Sequence, residues 1–248
     1  MAQICMIGAG NVATHLSLAL QRSGHEITQV FSRTEETAKV LAEKLNCPYT
    51  NNIQEILQAQ LSIIAISDDA INTVSSKLRG PVVHTSGTKS LEVLQNKVSG
   101  VFYPLQTFSK NKNIDFRTIP ICIEANNKEI MYLLQSLANS ISDYVYTISS
   151  EQRKYLHLSA VIACNFSNLM YQFASEICRT HNISFEMLKP LINETSDKIN
   201  HVSAVKAQTG PAYRKDLETI KEQLLLLEKD KEKKEIYKLL TQSIINRS

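Results

Sequence analysis

An α/β fold is predicted for the first part of this 248-residue chain: a doubly wound, mostly parallel sheet with helices on both faces. An all-helical domain is predicted to follow it. Three observations carry this. The first is the opening, Ile4-Cys-Met-Ile-Gly-Ala-Gly-Asn-Val-Ala, an apolar run into Gly8, Gly10 and the small Ala13, with Leu16, Leu18, Ala19 and Leu20 at helical spacing behind it. The second is the alternation of short β-rich runs with helical stretches, the pattern of βαβ units and a parallel sheet. The third is an uneven use of glycine: six of the seven lie at or before Gly100, so the later part of the chain has long uninterrupted elements.

The elements follow in order. Residues 4–7, 27–31, 61–66, 81–85 and 101–103 read as strands, with helices at 35–45, 53–58 and 70–78 between them. Residues 119–124 and 144–147 flank a helix at 128–139 and extend the same sheet. From Glu151 to about Thr180 neither Gly nor Pro intervenes and apolar residues recur at helical spacing. That predicts one helix of about 30 residues, roughly 45 Å long, with Ser149 or Ser150 as its N-cap. Further helices are expected near 184–198, 213–228 and 231–246. The expected domains are therefore 1–149, binding a dinucleotide, and 150–248, a helical substrate or dimerisation domain. The charge run EKDKEKKE at 228–235 reads as a solvated helix surface or helix–helix turn.

Composition narrows the class. The chain is 43% hydrophobic and 21% charged with net charge +3, and Lys and Arg are spread along it, which gives no argument for nucleic acid or membrane partners. No apolar run approaches the roughly 18 residues of a spanning helix, and a first strand beginning near residue 3 leaves no room for a signal peptide. Cys5, Cys47, Cys122, Cys164 and Cys178 are scattered and form no C-x-x-C, so no metal site or disulfide framework is expected. The reading is a reduced, cytoplasmic protein.

The glycine turn predicts the ligand. Gly8 permits the tight turn, Gly10 lets the backbone approach a pyrophosphate, and Ala13 keeps the helix near its strand. The helix N-terminus, with Asn11 and Val12 in its first turn, offers unpaired N–H groups and a positive dipole end to phosphates. An NAD-binding unit usually ends its second strand in a carboxylate that holds the ribose 2′-OH. Here that strand ends Val30-Phe31-Ser32-Arg33-Thr34. Arg33 suits a 2′-phosphate, with Ser32 and Thr34 supplying hydroxyls, so NADP(H) is favoured. Ser32-x-x-Glu35 also fits a helix capping box.

Ligands in such sheets bind beyond the carboxyl ends of the strands. Three ends are polar: Ser67-Asp68-Asp69, His84-Thr85-Ser86-Gly87 and Tyr103-Pro-Leu-Gln106-Thr107. Ser67, Asp68, His84 and Ser86 are cofactor candidates, and Tyr103 and Gln106 are substrate candidates. The competing readings are a helix-capping role for Asp68 or Asp69 and a structural role for His84.

These segments, with Leu156-His-Leu-Ser-Ala-Val, Asn165-Phe-Ser-Asn, Pro190-Leu-Ile-Asn-Glu-Thr and Thr209-Gly-Pro-Ala-Tyr-Arg-Lys-Asp, resemble the Rossmann-like proteins with a DUF2520 C-terminal domain, described as NADP oxidoreductases. The resemblance covers nearly the whole chain. The layout is more distantly similar to pyrroline-5-carboxylate reductase, ketopantoate reductase and the β-hydroxyacid dehydrogenases, with their 6-phosphogluconate dehydrogenase-like helical domains, in which dimers are common. It implies the fold and the cofactor and leaves the substrate open. One departure stands out. The β-hydroxyacid dehydrogenases and ketopantoate reductases carry a catalytic Lys with Asn four residues later on the first long helix, whereas Lys154 is followed at that spacing by Leu158.

Reduction of C=O or C=N moves a proton as well as a hydride, so a proton donor is required. His157, Val161, Asn165 and Asn168 are spaced by four, four and three residues, one face of a helix. The candidate acid/base is His157, with Asn165 or Asn168 orienting substrate; a satisfied core or interface histidine is the competing reading. Arg214 is a candidate anchor for a substrate carboxylate or phosphate, with Pro211 and Asp216 suited to a helix start. The expected function is an NADP(H)-dependent oxidoreductase acting on a small polar imine, keto acid or hydroxy acid, as a homodimer. The alternative is a non-catalytic NADP(H)-binding sensor, and a deazaflavin-linked NADP reductase is a third reading by analogy of fold.

Overall fold

The computed structural model describes residues 1–109 and 114–248. The chain forms two compact units, Met1–Val161 and Ile162–Ser248.

The first unit is built on a sheet of eight strands: β1 Gln3–Ile7, β2 Glu26–Phe31, β3 Tyr49–Thr50, β4 Leu61–Ile64, β5 Val82–His84, β6 Ser99–Pro104, β7 Ile121–Ala125 and β8 Val145–Thr147. Their order is β3-β2-β1-β4-β5-β6-β7-β8. All neighbours are parallel except β6 and β7, which run antiparallel with Phe102 opposite Ile123. The chain winds outward from β1 in one direction through β2 and β3, then returns to the other side of β1 as β4. That reversal opens a crevice at the carboxyl ends of β1 and β4, where doubly wound folds bind ligands.

The pleat of β1 explains why both faces of the sheet are covered. Successive side chains point to opposite faces. Ile4 and Met6 join one buried cluster, with residues of α1 (Asn11–Arg22), α2 (Glu35–Leu45) and α4 (Lys128–Ile141). Cys5 and Ile7 join another, with Phe31, Ile64, Val82 and Ile71 of the short helix α3 (Ile71–Ser75). The strand is buried on both sides, so it reads as a continuous apolar run rather than an alternating one. The predicted helix at 53–58 is only a single 3₁₀ turn, Ile53–Glu55, and β3 is a two-residue strand that the sequence reading did not anticipate.

The long helical run begins as expected. Helix α5 (Ser150–Ala160) opens with a capping box in which the Ser149 hydroxyl accepts from the Gln152 backbone and the Gln152 side chain accepts from that of Ser149. The run is not a uniform α-helix. A π-helical turn at Val161–Phe166 separates α5 from α6 (Ser167–Thr180). Although the helical region starts where the sequence placed the domain boundary, α5 belongs with the sheet, because its Ser150 and Arg153 are buried against residues of the first unit.

The second unit continues with α7 (Lys189–Lys198), the short α8 (Ala204–Ala207), α9 (Leu217–Leu226) and α10 (Lys231–Ile245). Lys233 clamps α10 to α6 by pairing with Glu176 at 2.9 Å while also pairing with its own cap, Asp230, at 2.6 Å. The charge run at 228–235 therefore spans the end of the α9–α10 turn and the first turn of α10. The sequence expectation for Pro211 is corrected here: α9 starts at Leu217, and its cap is Asp216, which accepts from the Thr219 N–H at 3.1 Å. The preceding residues form turns in which Lys215 takes a positive φ of 57°, incompatible with helix. No helix among the described residues is long and apolar enough to cross a membrane.

Candidate active site

The turn after β1 is shaped by backbone crowding. Gly8 has φ 121°, and a Cβ there would stand 2.2 Å from the carbonyl oxygen of Ala65, which follows β4. Only glycine lets the two strand ends lie this close. Gly10 is different. Its backbone is extended, and a Cβ there would meet nothing within 4 Å, so its α-carbon faces open space. Helix α1 starts immediately after it with no side-chain cap and no acidic residue in its first turn. The first-turn N–H groups and the positive dipole end are thus left for an anion. A dinucleotide pyrophosphate fits this turn on geometric grounds. Val12 is half-buried in that first turn, and the Asn11 side chain donates to the Phe108 carbonyl at 3.0 Å, tying the loop after β6 to the helix start.

At the end of β2, Arg33 and Thr34 are exposed and Ser32 is half-buried. The Ser32–Glu35 capping box does not form. Thr34 is the N-cap of α2 without a side-chain bond, and the Ser32 hydroxyl pairs instead with Thr37 at 2.8 Å. Among the described residues Arg33 makes no ion pair, so its guanidinium is available to a ligand phosphate.

The loops after β4 and β5 are joined by the Asp68 carboxylate, which accepts from the Thr88 hydroxyl. Asp68 does not cap α3, whose N-cap is Ala70. Ser67 is exposed, and its hydroxyl helps hold the Asp69 carboxyl below the usual carboxylate range. His84 is fully buried. Its Nδ1 accepts from the Ser86 N–H at 3.1 Å, which leaves Nε2 as the donor to the Ser90 carbonyl at 3.3 Å. Burial first, and the nearby Arg153 charge second, push its pKa down to about 4. The cofactor expectation for the His84 side chain is therefore replaced by a structural one: it is a neutral brace for its own loop. The Ser86 hydroxyl has a similar task, accepting from the N–H groups of Thr88 and Lys89.

Tyr103 and His157 meet at this loop. The Tyr103 hydroxyl lies 3.0 Å from His157 Nδ1. A Cβ on Gly87 would stand 2.6 Å from that same nitrogen and 2.9 Å from the tyrosine ring, so the close approach demands glycine. Tyr103 is buried, which pushes its phenol up to about 12, and His157 is half-buried. The sequence reading placed Tyr103 and His157 separately; the fold brings them together. Gln106 is exposed and accepts from the Thr107 N–H. Asn165, Asn168 and Arg214 are exposed residues of the second unit.

The sequence reading missed what lies beneath. Arg153, one helical turn before His157, is fully buried and pairs with Glu124 of β7 at 2.5 Å. Its guanidinium also donates to the Ser86 and Lys89 carbonyls. A carboxylate closing the otherwise apolar β7 run, and an arginine four residues before the candidate histidine, were the available signals.

Comparison with known proteins agrees with this architecture. The model described as a domain of unknown function, DUF2520, matches residues 119–244, just over half of the chain. The chain belongs to the DUF2520 family. The model described as NADP oxidoreductase, coenzyme F420-dependent, matches residues 3–86, which include the glycine turn and Arg33. A crystal structure from Bacteroides fragilis, assigned as an NADP oxidoreductase, is 41% identical over 99% of this chain and 98% of that one, with a TM-score of 0.92. Two more distant structures share the fold. Pyrroline-5-carboxylate reductase from Streptococcus pyogenes is 17% identical over 99% and 97% of the chains, TM-score 0.65. The reductive aminase of Aspergillus terreus, in complex with NADPH, is 11% identical over 100% and 95%, TM-score 0.74. None of the curated proteins matches the sequence. Membership in the DUF2520 family fits the Rossmann sheet and the helical second unit described above.

Proposed function

We propose that this DUF2520 protein is an NADP(H)-dependent oxidoreductase that transfers a hydride to or from a small polar metabolite, an imine, a keto acid or a hydroxy acid. It works as a homodimer. The observation that carries the reading is the Tyr103–His157 pair beside Gly87, at the carboxyl ends of β5 and β6. The turn at Gly8, Gly10, Asn11 and Val12 would hold the pyrophosphate, and Ser32, Arg33 and Thr34 the 2′-phosphate. Bound NADP(H) supplies the hydride chemistry.

The chain's own residues handle the proton. Tyr103 stays protonated across the working pH range, because burial raises its phenol. A hydroxyl both donates and accepts, so it remains bonded to His157 Nδ1 whether the ring is neutral or charged. That leaves Nε2 as the atom that gives or takes the substrate's proton. A non-catalytic NADP(H) sensor would need the cofactor turn alone; a hydrogen-bonded acid/base pair favours the enzyme.

The test begins with reduced-nicotinamide fluorescence, which meets little background in a chain without tryptophan. NADPH is expected to bind more tightly than NADH, and Arg33→Ala to erase most of that preference by weakening NADPH selectively. Keto acids, hydroxy acids and cyclic imines are then screened for turnover. His157→Gln is expected to bind NADPH normally and to lose about two orders of magnitude in kcat. Wild-type turnover in that variant would refute the acid/base role. NADPH binding without turnover on any of these classes would support the sensor.

A further inference from the structure

We infer that Arg153 is a positioning residue for the Tyr103–His157 pair, acting through the loop that carries Gly87; the inference rests on the acid/base reading of His157. Arg153 reaches four acceptors with three nitrogens. Nε donates to the Ser86 carbonyl at 3.2 Å, Nη1 to Glu124 Oε2 at 2.5 Å, and Nη2 to the Lys89 carbonyl and to the Ser150 hydroxyl at 3.1 Å. The two carbonyls flank Gly87 and Thr88, so the guanidinium holds both ends of the segment that touches His157. Glu124 is braced in turn. Its second oxygen accepts from the Ser150 N–H at 2.9 Å, and the Ser150 hydroxyl donates to Oε2 at 2.7 Å while accepting from the Leu91 N–H at 2.9 Å. The cluster thus ties the end of β7, the start of α5 and the loop after β5 into one unit.

The physics favours a fixed geometry here. A planar fork fully removed from water is costly unless every branch is bonded in place. It therefore penalises any shift of the loop against α5. His157 lies four residues after Arg153 on the same helix, so its ring and the guanidinium share a face. Gly87 packs against that ring and against Tyr103. Loosening the fork lets the loop move by a fraction of an ångström, enough to misalign a 3.0 Å hydrogen bond without unfolding the sheet. Lysine retains the charge but has no fork to hold two carbonyls and a carboxylate at once.

The experiment reads the Tyr103–His157 bond directly. In protein labelled with ¹³C at the tyrosine ζ and histidine ε1 carbons, the Tyr103 resonance is expected to follow the titration of the His157 ring, with the same pH midpoint. Tyr103→Phe and His157→Gln assign the two signals. In Arg153→Lys the Tyr103 resonance is expected to stop tracking His157, while the NADPH dissociation constant stays within about threefold of wild type and kcat falls at least tenfold. A merely structural arginine would lower the unfolding temperature and leave the tracking intact. Should Arg153→Lys fail to fold, Glu124→Gln, which keeps an acceptor for Ser150, takes its place with the same readout. Persistent tracking in whichever variant folds overturns the inference. Full turnover in His157→Gln would instead remove the acid/base reading, with the tracking readout unaffected, so the two failures are distinct.

Discussion

His84 shows at a single residue what burial does to chemistry. Its position at the end of β5 made it a candidate for the cofactor, and nothing in the sequence distinguishes a histidine facing the crevice from one turned beneath its own loop. The structure turns it inward, with a hydrogen bond at each ring nitrogen and a pKa near 4. An unfolded histidine titrates near 6.5, so between about pH 4 and 6.5 the unfolded chain binds more protons than the native one. Stability therefore rises with pH through this window: the contribution of His84 is complete above about 6.5 and is lost as pH falls towards 4. The size is on the order of 3 kcal/mol. Urea unfolding at pH 7.0, 5.5 and 4.0 is expected to show this loss, and His84→Asn to flatten it. The half-buried His25, whose pKa is also lowered by burial, adds a residual slope of the same sign. An unchanged pH profile in His84→Asn would mean that the histidine is not held neutral. Arg153 makes the complementary point. A charged residue at helical spacing reads as surface, because its acceptors come from β7 and the loop after β5, and no local pattern announces that three elements converge on it.

At the scale of elements, apolar runs and glycines carried most of the information. The strands from β1 to β8 were legible apart from the two-residue β3, which is too short to have a period. The glycine turn was legible as a turn, with Gly8 at the positive φ that the turn requires, and the tasks proposed for Gly8 and Gly10 predict separate phenotypes. Gly8→Ala forces a side chain into a positive φ and against the Ala65 carbonyl, and is expected to cost about 2 kcal/mol or more of unfolding free energy. Gly10→Ala places its methyl in open space at an extended φ, so stability should change by no more than about 0.5 kcal/mol. Because that space is where the pyrophosphate is proposed to lie, NADPH affinity should still fall at least tenfold. Paired urea and fluorescence titrations separate the two effects, and wild-type NADPH affinity in Gly10→Ala would sink the pyrophosphate assignment. The π turn at Val161–Phe166 was not legible, since residues such as Ile162, Ala163 and Cys164 satisfy an α-helical pattern equally well. The capping box at Ser32 was a misreading of the opposite kind: the motif is present, but the N-cap lies two residues later, at Thr34, and the helix starts at Glu35.

For the whole molecule, the second unit poses a problem that a single chain does not solve. Between Ile162 and Ser248 only Cys178, Ala212 and Ile220 are buried, whereas Ile162, Phe166, Leu169, Leu191, Val205 and Leu226 are among many large apolar residues left exposed. Monomeric proteins seldom present this much apolar surface, and a helical unit with so few buried side chains lacks the core that would stabilise it. The proposed homodimer would resolve this, because a second copy would supply matching apolar surface through a closed two-fold interface. Amphipathic spacing in the sequence indicated helices with apolar faces, but periodicity cannot say whether such a face meets its own chain or another. Light scattering coupled to size exclusion at micromolar concentration is expected to give about twice the mass of one chain. Phe166→Glu with Leu169→Glu places two charges on one exposed apolar face of the helical run, and should shift the protein to the monomer while the circular dichroism of the sheet-bearing unit is retained. NADPH should still bind this monomer, since Gly8, Gly10 and Arg33 belong to the first unit. A wild-type protein that stays monomeric at tens of micromolar would remove the homodimer and leave the exposed face to a partner of another kind.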